Sequence, residues 1–261
     1  IACNRYVKWE ALLHRSNEIG ADFIATGHYA RIEKHPKTGR YAIKTSVTAK
    51  KDQTYALYNL TQQQLQSTLM PIGAYHKEEI RKIAEEIDIR ISKKADSEEI
   101  CFVPDNDYSH FIENETGKKY PAGDFVDLDG NILAKHKGII HYTVGQRKGL
   151  GVAFGKPMYV YALDIKNNQV ILCENDALFH KTLFAGNLNF MSLEKIEGEM
   201  RLEAKIRYSH KKAWCTVRMK NKNEIECIFD QPQRAITPGQ AVVLYDGEYV
   251  AGGGTILGSK K

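Results

Sequence analysis

The last third of the chain alternates apolar and polar residues with a period of two, and no other feature constrains the fold as strongly. Successive side chains of an extended strand point to opposite faces, so this alternation predicts strands with one buried face. Turn residues separate the alternating runs at 221–223 and 245–248. From about residue 180 onward we therefore predict a small antiparallel β-barrel. Its alternating positions are Leu202, Ala204, Ile206, Ala213, Cys215, Val217, Met219, Ile225, Cys227 and Phe229.

The beginning of the chain has a different pattern, in which a helix precedes a short strand. The apolar spacing predicts a helix over residues 7–19 that ends at Gly20, and a buried strand over residues 21–25. Gly27 and His28 follow directly, and ligands of α/β nucleotide folds bind beyond the carboxyl ends of the strands. Gly27 would let a ligand approach the backbone, although an ordinary turn glycine fits equally well. His28 by itself is more typical of a structural histidine than of a catalyst.

Turn and capping signals divide the remaining chain into short elements. They predict a hairpin of residues 30–33 and 41–44, a capping box of Thr61 and Gln64, a helix over 77–86, a short helix from Tyr108, a hairpin at 127–131, and strands at 159–163 and 169–172. The pattern changes from Asp105 onward. We therefore predict three domains with the boundaries 1–104, 105–178 and 179–261.

Charge and composition limit the classes of function. A formal net charge of +5 fits an anionic partner such as nucleic acid. The five cysteines have no paired spacing, which argues against a secreted disulfide scaffold and a structural zinc site. We expect no metal ligands in the visible chain. No apolar run is long enough to cross a bilayer, so no membrane contact is expected. Because the chain opens with Ile1 rather than Met, we expect further sequence upstream.

Three stretches combine positive charge with groups that could contact RNA. Residues 49–55 contain Lys50, Lys51, Gln53 and Tyr55, which offer phosphate contacts, base-edge hydrogen bonds and stacking. Residues 207–212 place a tyrosine within a basic patch. Residues 135–151 are rich in glycine and positive charge but do not have P-loop spacing. Solvated charged loops would give the same patterns.

Two cysteines are candidates for chemistry. Cys3 is followed by Asn4 and Arg5, and Cys101 stands behind the acidic patch at 96–99; polar surroundings of this kind are typical of reactive thiols. If the fold brings them together, they could act as attacking and resolving thiols on one sulfur atom. The alternative for each is a small buried core residue. Cys215 and Cys227 share their strands' apolar alternation, so we interpret both as core residues, and Cys173 beside a predicted strand as inert.

Several stretches together resemble the tRNA-specific 2-thiouridylases, the enzymes that thiolate the wobble uridine of tRNA. The resemblance covers essentially the whole chain, and the blocks at 100–102 and 142–151 are its most specific parts. The matching stretches are Cys3-Asn4, residues 25–29, residues 51–53, Asp96-Ser97, Ile100-Cys101-Phe102, residues 142–151, and residues 238–240 with 252–254.

The resemblance implies a fold of class α/β plus β with three parts. These are a partial Rossmann-like ATP pyrophosphatase domain (adenine nucleotide alpha hydrolase-like), a small central domain and a C-terminal antiparallel β-barrel that contacts tRNA. The family's phosphate-binding loop, of Ser-Gly-Gly-x-Asp-Ser type, is absent from this sequence. We therefore expect the main phosphate site for ATP and Mg²⁺ in the missing N-terminal segment.

The resemblance also assigns roles to individual residues. Cys101 would accept a persulfide sulfur from a donor protein, either a cysteine desulfurase or a sulfur-relay protein. Cys3 would be the second catalytic cysteine, which attacks or resolves the persulfide and leaves a Cys3–Cys101 disulfide. Gly27 would bind ATP. The residues matching tRNA-contacting positions are His28, Lys51, Asp52, Gln53, Arg207, Tyr208 and Gln240.

The resulting hypothesis is an ATP-dependent tRNA-uridine 2-sulfurtransferase of the cytoplasm. ATP would adenylate the C2 oxygen of the wobble uridine, and persulfide sulfur would then give 2-thiouridine. One alternative is a non-catalytic tRNA-binding fragment. Another is an RNA methyltransferase with a nucleophilic cysteine, which would need a methyl-donor site, usually announced by a glycine-rich loop after a strand. Gly27 stands alone after its strand.

Overall fold

The structure is a computed structural model, and it describes residues 1–87, 89, 103, 105 and 107–261. The chain divides into two compact units. The first contains Ile1–Lys93, Lys181–Gln231 and Pro238–Lys260, and the second contains Lys94–His180, Pro232–Thr237 and Lys261. The predicted boundaries at 104 and 178 stay a prediction.

The regular elements are short in the first half of the chain and longer in the second. A π-helix over Cys3–Leu12 continues directly into the first α-helix. The α-helices are α1 (Leu13–Glu18), α2 (Gln62–Gln66), α3 (Lys77–Glu86) and α4 (Tyr108–Thr116). The strands are β1 (Ile24–Ala25), β2 (Ala30–Lys34), β3 (Tyr41–Thr45), β4 (Thr68–Leu69), β5 (Gly123–Val126), β6 (Ile132–His136), β7 (Tyr159–Asp164), β8 (Gln169–Cys173), β9 (Phe179–Phe190), β10 (Glu199–Lys205), β11 (Ala213–Asn221), β12 (Glu224–Arg234), β13 (Ala241–Asp246) and β14 (Tyr249–Lys260).

Six strands of the first unit form a closed antiparallel barrel, which confirms the predicted fold class. Neighbours around the barrel run β13, β10, β11, β12, β9, β14 and back to β13. Leu202 lies opposite Cys215, and Val217 lies opposite Cys227. All four side chains are buried, because alternate residues of a strand share the inner face. Both cysteines are therefore core residues, as predicted.

Glycines near the start of β14 let other backbones approach closely. A Cβ atom added at Gly253 would lie 2.5 Å from the Val242 carbonyl oxygen and 2.6 Å from the Tyr58 ring. Tyr58 belongs to the N-terminal part of the chain, so Gly253 helps to pack that part against the barrel. A larger residue there would overpack the contact.

A hairpin from the N-terminal part extends the barrel sheet. Strands β2 and β3 form the predicted hairpin, with Ile32 opposite Ile43. Strand β3 then pairs with β14, with Lys44 opposite Tyr249. The Lys44 ammonium lies 3.2 Å from Glu33, and this neighbour lowers the pKa of the Glu33 carboxyl against the opposing effect of burial. The first unit thus combines an eight-stranded sheet, which includes the barrel, with a separate two-stranded sheet of β1 and β4 and with helices in its N-terminal part.

The N-terminal helix is longer at its start and less buried than its sequence predicts. It begins at Cys3 rather than at residue 7. Trp9 and Leu13 are buried as expected, whereas Leu12 and Ile19 are 54% and 71% exposed. The π-helical turn contains more residues than an α-turn, which rotates residues away from the face that α-helical spacing predicts. The Trp9 indole anchors the helix by donating to Thr68 Oγ1 at 2.8 Å.

Strand β1 is also shorter than predicted, with two residues that pair in parallel with β4. The capping box of Thr61 and Gln64 is present at the start of α2. Helix α3 has the predicted bounds. No helix within the described ranges is long and apolar enough to cross a membrane.

The second unit contains a four-stranded sheet in the order β6, β5, β8, β7. The hairpin of β5 and β6 and the strands β7 and β8 occupy the positions predicted from the turn signals. The glycine-rich block at 142–151 is hydrogen-bonded to strand β7 of this sheet. Gly145 N–H donates to the Val160 carbonyl at 2.7 Å, and Val160 N–H donates to the Gln146 carbonyl at 2.9 Å. The block is therefore an ordered part of this unit.

Candidate functional site

A pocket opens beyond the carboxyl end of strand β1, where the sequence predicts a ligand site. It has a volume of about 420 Å³ and lies within the first unit. Its wall combines the N-terminal helix, the end of β1 and the 49–55 loop. The lining residues are Lys8, Leu12, Ile24, Ala25, Thr26, Gly27, His28 and Gln53.

Gly27 contributes open backbone to this pocket. Among the residues that the structure describes, a Cβ atom added there would meet only Ile72 Cδ1, at 3.8 Å, which is an ordinary van der Waals distance. Internal packing therefore does not require glycine at this position. Gly27 lines the pocket, and a glycine at such a position lets a ligand approach the backbone closely. The residues present are compatible with a nucleotide beside Gly27, and the assignment of Gly27 to ATP stays a prediction.

His28 lies inside the pocket wall and not on an open surface. It is 8% exposed, and its ring centroid lies 5.5 Å from that of Trp9. Lys8 Nζ lies 3.4 Å from His28 Nε2, and Thr26 Oγ1 contacts His28 Nδ1. Because an ammonium group can only donate, Nε2 accepts, and the ring proton is on Nδ1, where it faces Thr26.

The charge state of His28 follows from this environment. Burial, and secondarily the Lys8 ammonium, lower the pKa of His28 from 6.5 to about 4. Both causes disfavour the imidazolium form. At neutral pH the imidazole is therefore neutral, and Lys8 carries the positive charge of the pocket. With both ring nitrogens occupied, His28 is better placed to shape the pocket than to donate hydrogen bonds to RNA.

Gln53 connects the pocket to the 49–55 loop. The side-chain oxygen of Gln53 accepts a hydrogen bond from the backbone N–H of Tyr29 at 2.9 Å. The backbone N–H of Gln53 donates to the Tyr29 carbonyl at 3.0 Å. This pair of bonds attaches the loop to the segment that follows β1. Gln53 also lines the pocket, and its predicted contact with tRNA stays a prediction.

Asp52 is occupied within the loop itself. Oδ2 accepts from Ser46 N–H at 2.9 Å, and Oδ1 accepts from the N–H and hydroxyl of Thr54 at 3.2 and 2.5 Å. The carboxylate therefore stabilises the loop conformation. Its predicted contact with tRNA stays a prediction.

The structure brings the remaining candidate RNA-contacting residues to the same region as this loop. Tyr55, at the end of the loop, makes an edge-on contact with Tyr208, with ring centroids 6.2 Å apart. The Tyr55 hydroxyl donates to the Ala241 carbonyl at 2.8 Å, directly after the exposed Gln240. Tyr208 is 50% exposed and Arg207 is half-buried beside it. Residues 51–53, 207–208 and 240 are thus neighbours in space although they are far apart in sequence.

Cys3 is exposed at the start of the N-terminal helix. The next residue, Asn4, is buried and donates through Nδ2 to the Ala56 carbonyl at 3.1 Å, which anchors the helix. Residue i lies beside residue i+5 in a π-helix. Cys3 is therefore one helical turn from Lys8, which lines the pocket.

Cys101 lies outside the described residues, as do Lys93, Lys94 and Asp96. The pairing of Cys3 with Cys101 therefore stays a prediction. The other three cysteines are buried. Burial raises the pKa of the Cys173 thiol to about 11, which agrees with its interpretation as inert.

Sequence reasoning missed Lys8 and Thr26 as pocket residues. Lys8 belongs to a helix whose charged residues look like an ordinary solvated face, and nothing local indicates that its ammonium reaches a histidine twenty residues away. Thr26 directly follows the predicted strand and precedes Gly27. This position at the strand end was the one sequence signal that could have identified it as a pocket residue.

The predicted absence of metal ligands concerns the same site. Among the residues that the structure describes, no group of three His, Cys, Asp or Glu side chains could hold a metal ion. None of the described residues that line the pocket carries a carboxylate. The pocket residues therefore do not fit a Mg²⁺ site, and no chemical step is assigned to a metal held by them.

Three family models together match most of the chain. The model described as the tRNA methyl transferase HUP domain matches residues 1–105. The tRNA methyl transferase PRC-barrel domain matches residues 109–174, and the aminomethyltransferase beta-barrel domain matches residues 180–256.

Curated relatives match the chain from end to end. The chain is 59% identical to the tRNA-specific 2-thiouridylase MnmA of Lachnoclostridium phytofermentans over 257 residues, which is 98% of this chain and 72% of the relative. It is 55% identical to the protein of the same name from Acetivibrio thermocellus and 52% identical to that from Clostridioides difficile, in each case over 98% of this chain and 71% of the relative. Identity of this extent, together with the three matching domains, shows that the chain belongs to the tRNA-specific 2-thiouridylase family.

Proposed function

We propose that the chain forms the larger part of an ATP-dependent tRNA-uridine 2-sulfurtransferase, which converts the wobble uridine of tRNA to 2-thiouridine. One observation carries the proposal beyond family membership. The pocket at the end of β1 opens beside Gly27 and Gln53, and the 49–55 loop connects it to a basic, aromatic surface on the barrel. A pocket that holds a base, next to a surface that binds the RNA backbone, is what chemistry on a single tRNA base requires.

The first chemical step activates the uridine. The C2 oxygen is a poor leaving group, and transfer of AMP from the substrate ATP onto it releases pyrophosphate and makes it a good one. In our proposal Gly27 gives the nucleotide access to the backbone. The Lys8 ammonium supplies positive charge at the pocket wall, and the neutral His28 fixes its position. Mg²⁺ would accompany the ATP phosphates in this proposal.

The second step transfers sulfur. Cys101 carries a persulfide, and the Cys3 thiolate attacks the Cys101 sulfur atom. The bond between Cys101 and the terminal sulfur breaks, a Cys3–Cys101 disulfide forms, and the terminal sulfur leaves with the electron pair as hydrosulfide. Hydrosulfide attacks C2 and expels AMP. The sulfane sulfur is reduced as the two cysteines are oxidised, so a thiol reductant must reopen the disulfide before the next turnover.

The partners follow from this scheme. The tRNA provides the uridine, and its backbone would meet the basic surface formed by Lys51 and Arg207, while Tyr208 offers a ring for stacking. The persulfide must come from a protein sulfur donor, such as a cysteine desulfurase or a sulfur-relay protein. Free thiols and a reductant-dependent cycle suit the cytoplasm.

A methyltransferase is the second candidate, because two of the matching family models carry that word in their descriptions. A methyl donor such as S-adenosylmethionine needs its own site, and the described residues that line the pocket beside β1 include a single glycine. The relatives that align with the whole chain are named as thiouridylases. The third candidate, a non-catalytic tRNA-binding fragment, would bind tRNA and never ATP.

The test is thiolation of the wobble uridine by the full-length protein with ATP and a sulfur donor. Wild type should form 2-thiouridine, detected by mass spectrometry of digested tRNA, and Cys3→Ser and Cys101→Ser should both abolish it. Cys173→Ala is the matched control and should retain activity. If only Cys101→Ser is inactive, the role of Cys3 is wrong. If both serine variants match wild type, the catalytic proposal fails and RNA binding becomes the better explanation.

A further inference from the structure

Lys205 occupies an unusual position at the end of strand β10. Its ammonium group lies over two tyrosine rings, 5.4 Å from the centroid of Tyr208 and 5.9 Å from that of Tyr55. Both distances are within the range of cation–π attraction. The side chain is half-buried. The two rings therefore hold the ammonium on the surface where the 49–55 loop meets the barrel.

The hydrogen-bonding capacity of this ammonium is unused. An ammonium group has three donors, and in the described part of the chain Lys205 has neither a hydrogen bond nor an ion pair within 4.0 Å. Burial is the largest influence on the pKa of Lys205 and lowers it. The nearby charges have opposite effects, since Asp52 raises this pKa and Lys212 lowers it. The oxygens of Asp52 already accept bonds within their own loop.

Lys212, on the same surface, is a lysine whose ammonium group has both an aromatic contact and a hydrogen-bond acceptor. Its ammonium lies 4.0 Å from the centroid of Tyr245 and donates to the Gly247 carbonyl at 3.0 Å. This hydrogen bond links the connection between β10 and β11 to the turn between β13 and β14. Lys205 has the aromatic contact but no acceptor, so its donors remain available to a ligand.

We infer that Lys205 binds a backbone phosphate of RNA, at a nucleotide site where the exposed ring of Tyr208 stacks on a base. The inference rests on the proposed function and adds a residue and a ligand group to it. A phosphate oxygen supplies the acceptor that the ammonium lacks. Proteins that bind single-stranded RNA combine positive charge along the backbone with aromatic rings under the bases, and Lys205 with Tyr208 provides one of each.

The test is the salt dependence of tRNA binding by the full-length protein. Each phosphate contact contributes about 0.7 to 0.9 to the slope of log affinity against log salt. Lys205→Met keeps the apolar stem and removes the charge, so it should lower the slope by that amount and weaken binding about fivefold to tenfold at 0.1 M salt. Lys205→Arg should keep the slope. Tyr208→Leu should weaken binding with the slope unchanged, because it removes stacking and no charge.

Lys222 provides the matched control. It is exposed in the turn between β11 and β12, at the other end of β11 from the turn that follows Lys205. Lys222→Met should change neither affinity nor slope. A Lys205→Met protein that binds tRNA with the wild-type slope would overturn the inference, whereas a wild-type protein that does not bind tRNA would overturn the proposed function instead.

A footprint on the wild-type protein makes the test independent of how a variant folds. Bound tRNA should protect Lys205 from acetylation by an N-hydroxysuccinimide ester, measured by peptide mass spectrometry, and leave Lys222 as reactive as in free protein. Equal acetylation of Lys205 with and without saturating tRNA would also refute the inference.

Discussion

The buried, neutral His28 predicts a specific loss of stability in mild acid. Its pKa is lowered from 6.5 to about 4 in the folded protein, first by burial and then by Lys8. Between pH 4 and pH 6.5, the histidine of the unfolded chain therefore binds a proton that the histidine of the folded chain does not bind. The stability contribution is fully present above pH 6.5 and is lost as the pH falls toward 4. One pKa unit corresponds to about 1.4 kcal/mol, so lowering the pH from 7 to 5 should cost about 2 kcal/mol through this residue.

The perturbation that isolates this effect is His28→Asn. Asparagine keeps a donor that can face Thr26 and removes the titrating ring. Between pH 7 and pH 5 the variant should lose about 2 kcal/mol less unfolding free energy than wild type, because carboxyl groups contribute equally to both proteins. His14→Asn, at an exposed histidine of α1, is the matched control and should keep the wild-type dependence.

The assay is urea unfolding followed by tryptophan fluorescence. Both tryptophans of the chain belong to the first unit, and Trp9 packs against His28, so the signal reports the part of the structure in question. A nuclear magnetic resonance titration of the His28 ring in wild type gives the pKa directly. The reasoning is refuted if wild type and His28→Asn lose the same free energy between pH 7 and pH 5, or if the ring titrates near 6.5.

Two further predictions concern the pocket and the thiols. Gly27→Ala should leave the unfolding free energy within about 0.5 kcal/mol of wild type, because the added methyl meets only Ile72 at 3.8 Å; in the full-length protein it should weaken ATP binding at least about tenfold if a nucleotide approaches this backbone. Equal ATP affinity in isothermal titration would remove Gly27 from the site. Iodoacetamide at pH 8 should alkylate the exposed Cys3 within minutes and leave Cys173 unmodified, because burial raises the pKa of Cys173 to about 11. Rapid alkylation of Cys173 in peptide mapping of folded protein would contradict its burial.

Local patterns in the sequence predicted most of the regular elements. The alternation at residues 202–206 and 225–229 identified barrel strands, because the period of a strand is independent of its surroundings. The capping box at Thr61 and the helix over Lys77–Glu86 were also predicted, because their sequence signals lie within one or two helical turns. The N-terminal helix was predicted less well, because α-helical spacing does not describe a π-helical turn.

The candidate site depended on contacts that no local pattern contains. Lys8 and His28 are twenty residues apart, and their contact exists because the N-terminal helix packs against the end of β1. The resemblance assigns Asp52 to tRNA contact, and only the folded loop shows that both of its carboxylate oxygens accept hydrogen bonds from Ser46 and Thr54. Charge and residue type alone could not distinguish these cases, because each depends on which partner the fold brings within reach.

The sequence by itself determined where three of the six barrel strands lie, which cysteines belong to the barrel core and which family the chain resembles, because alternation and motif spacing are properties of short stretches. Only the tertiary structure decided that residues 51–53, 207–208 and 240 meet on one surface. It also separated two lysines that look alike in the sequence. Lys212 donates to the Gly247 carbonyl, whereas Lys205 contacts aromatic rings and has no acceptor among the described residues. The physical reason is that hydrogen bonds and burial depend on distances between atoms far apart in the chain, and folding alone sets those distances.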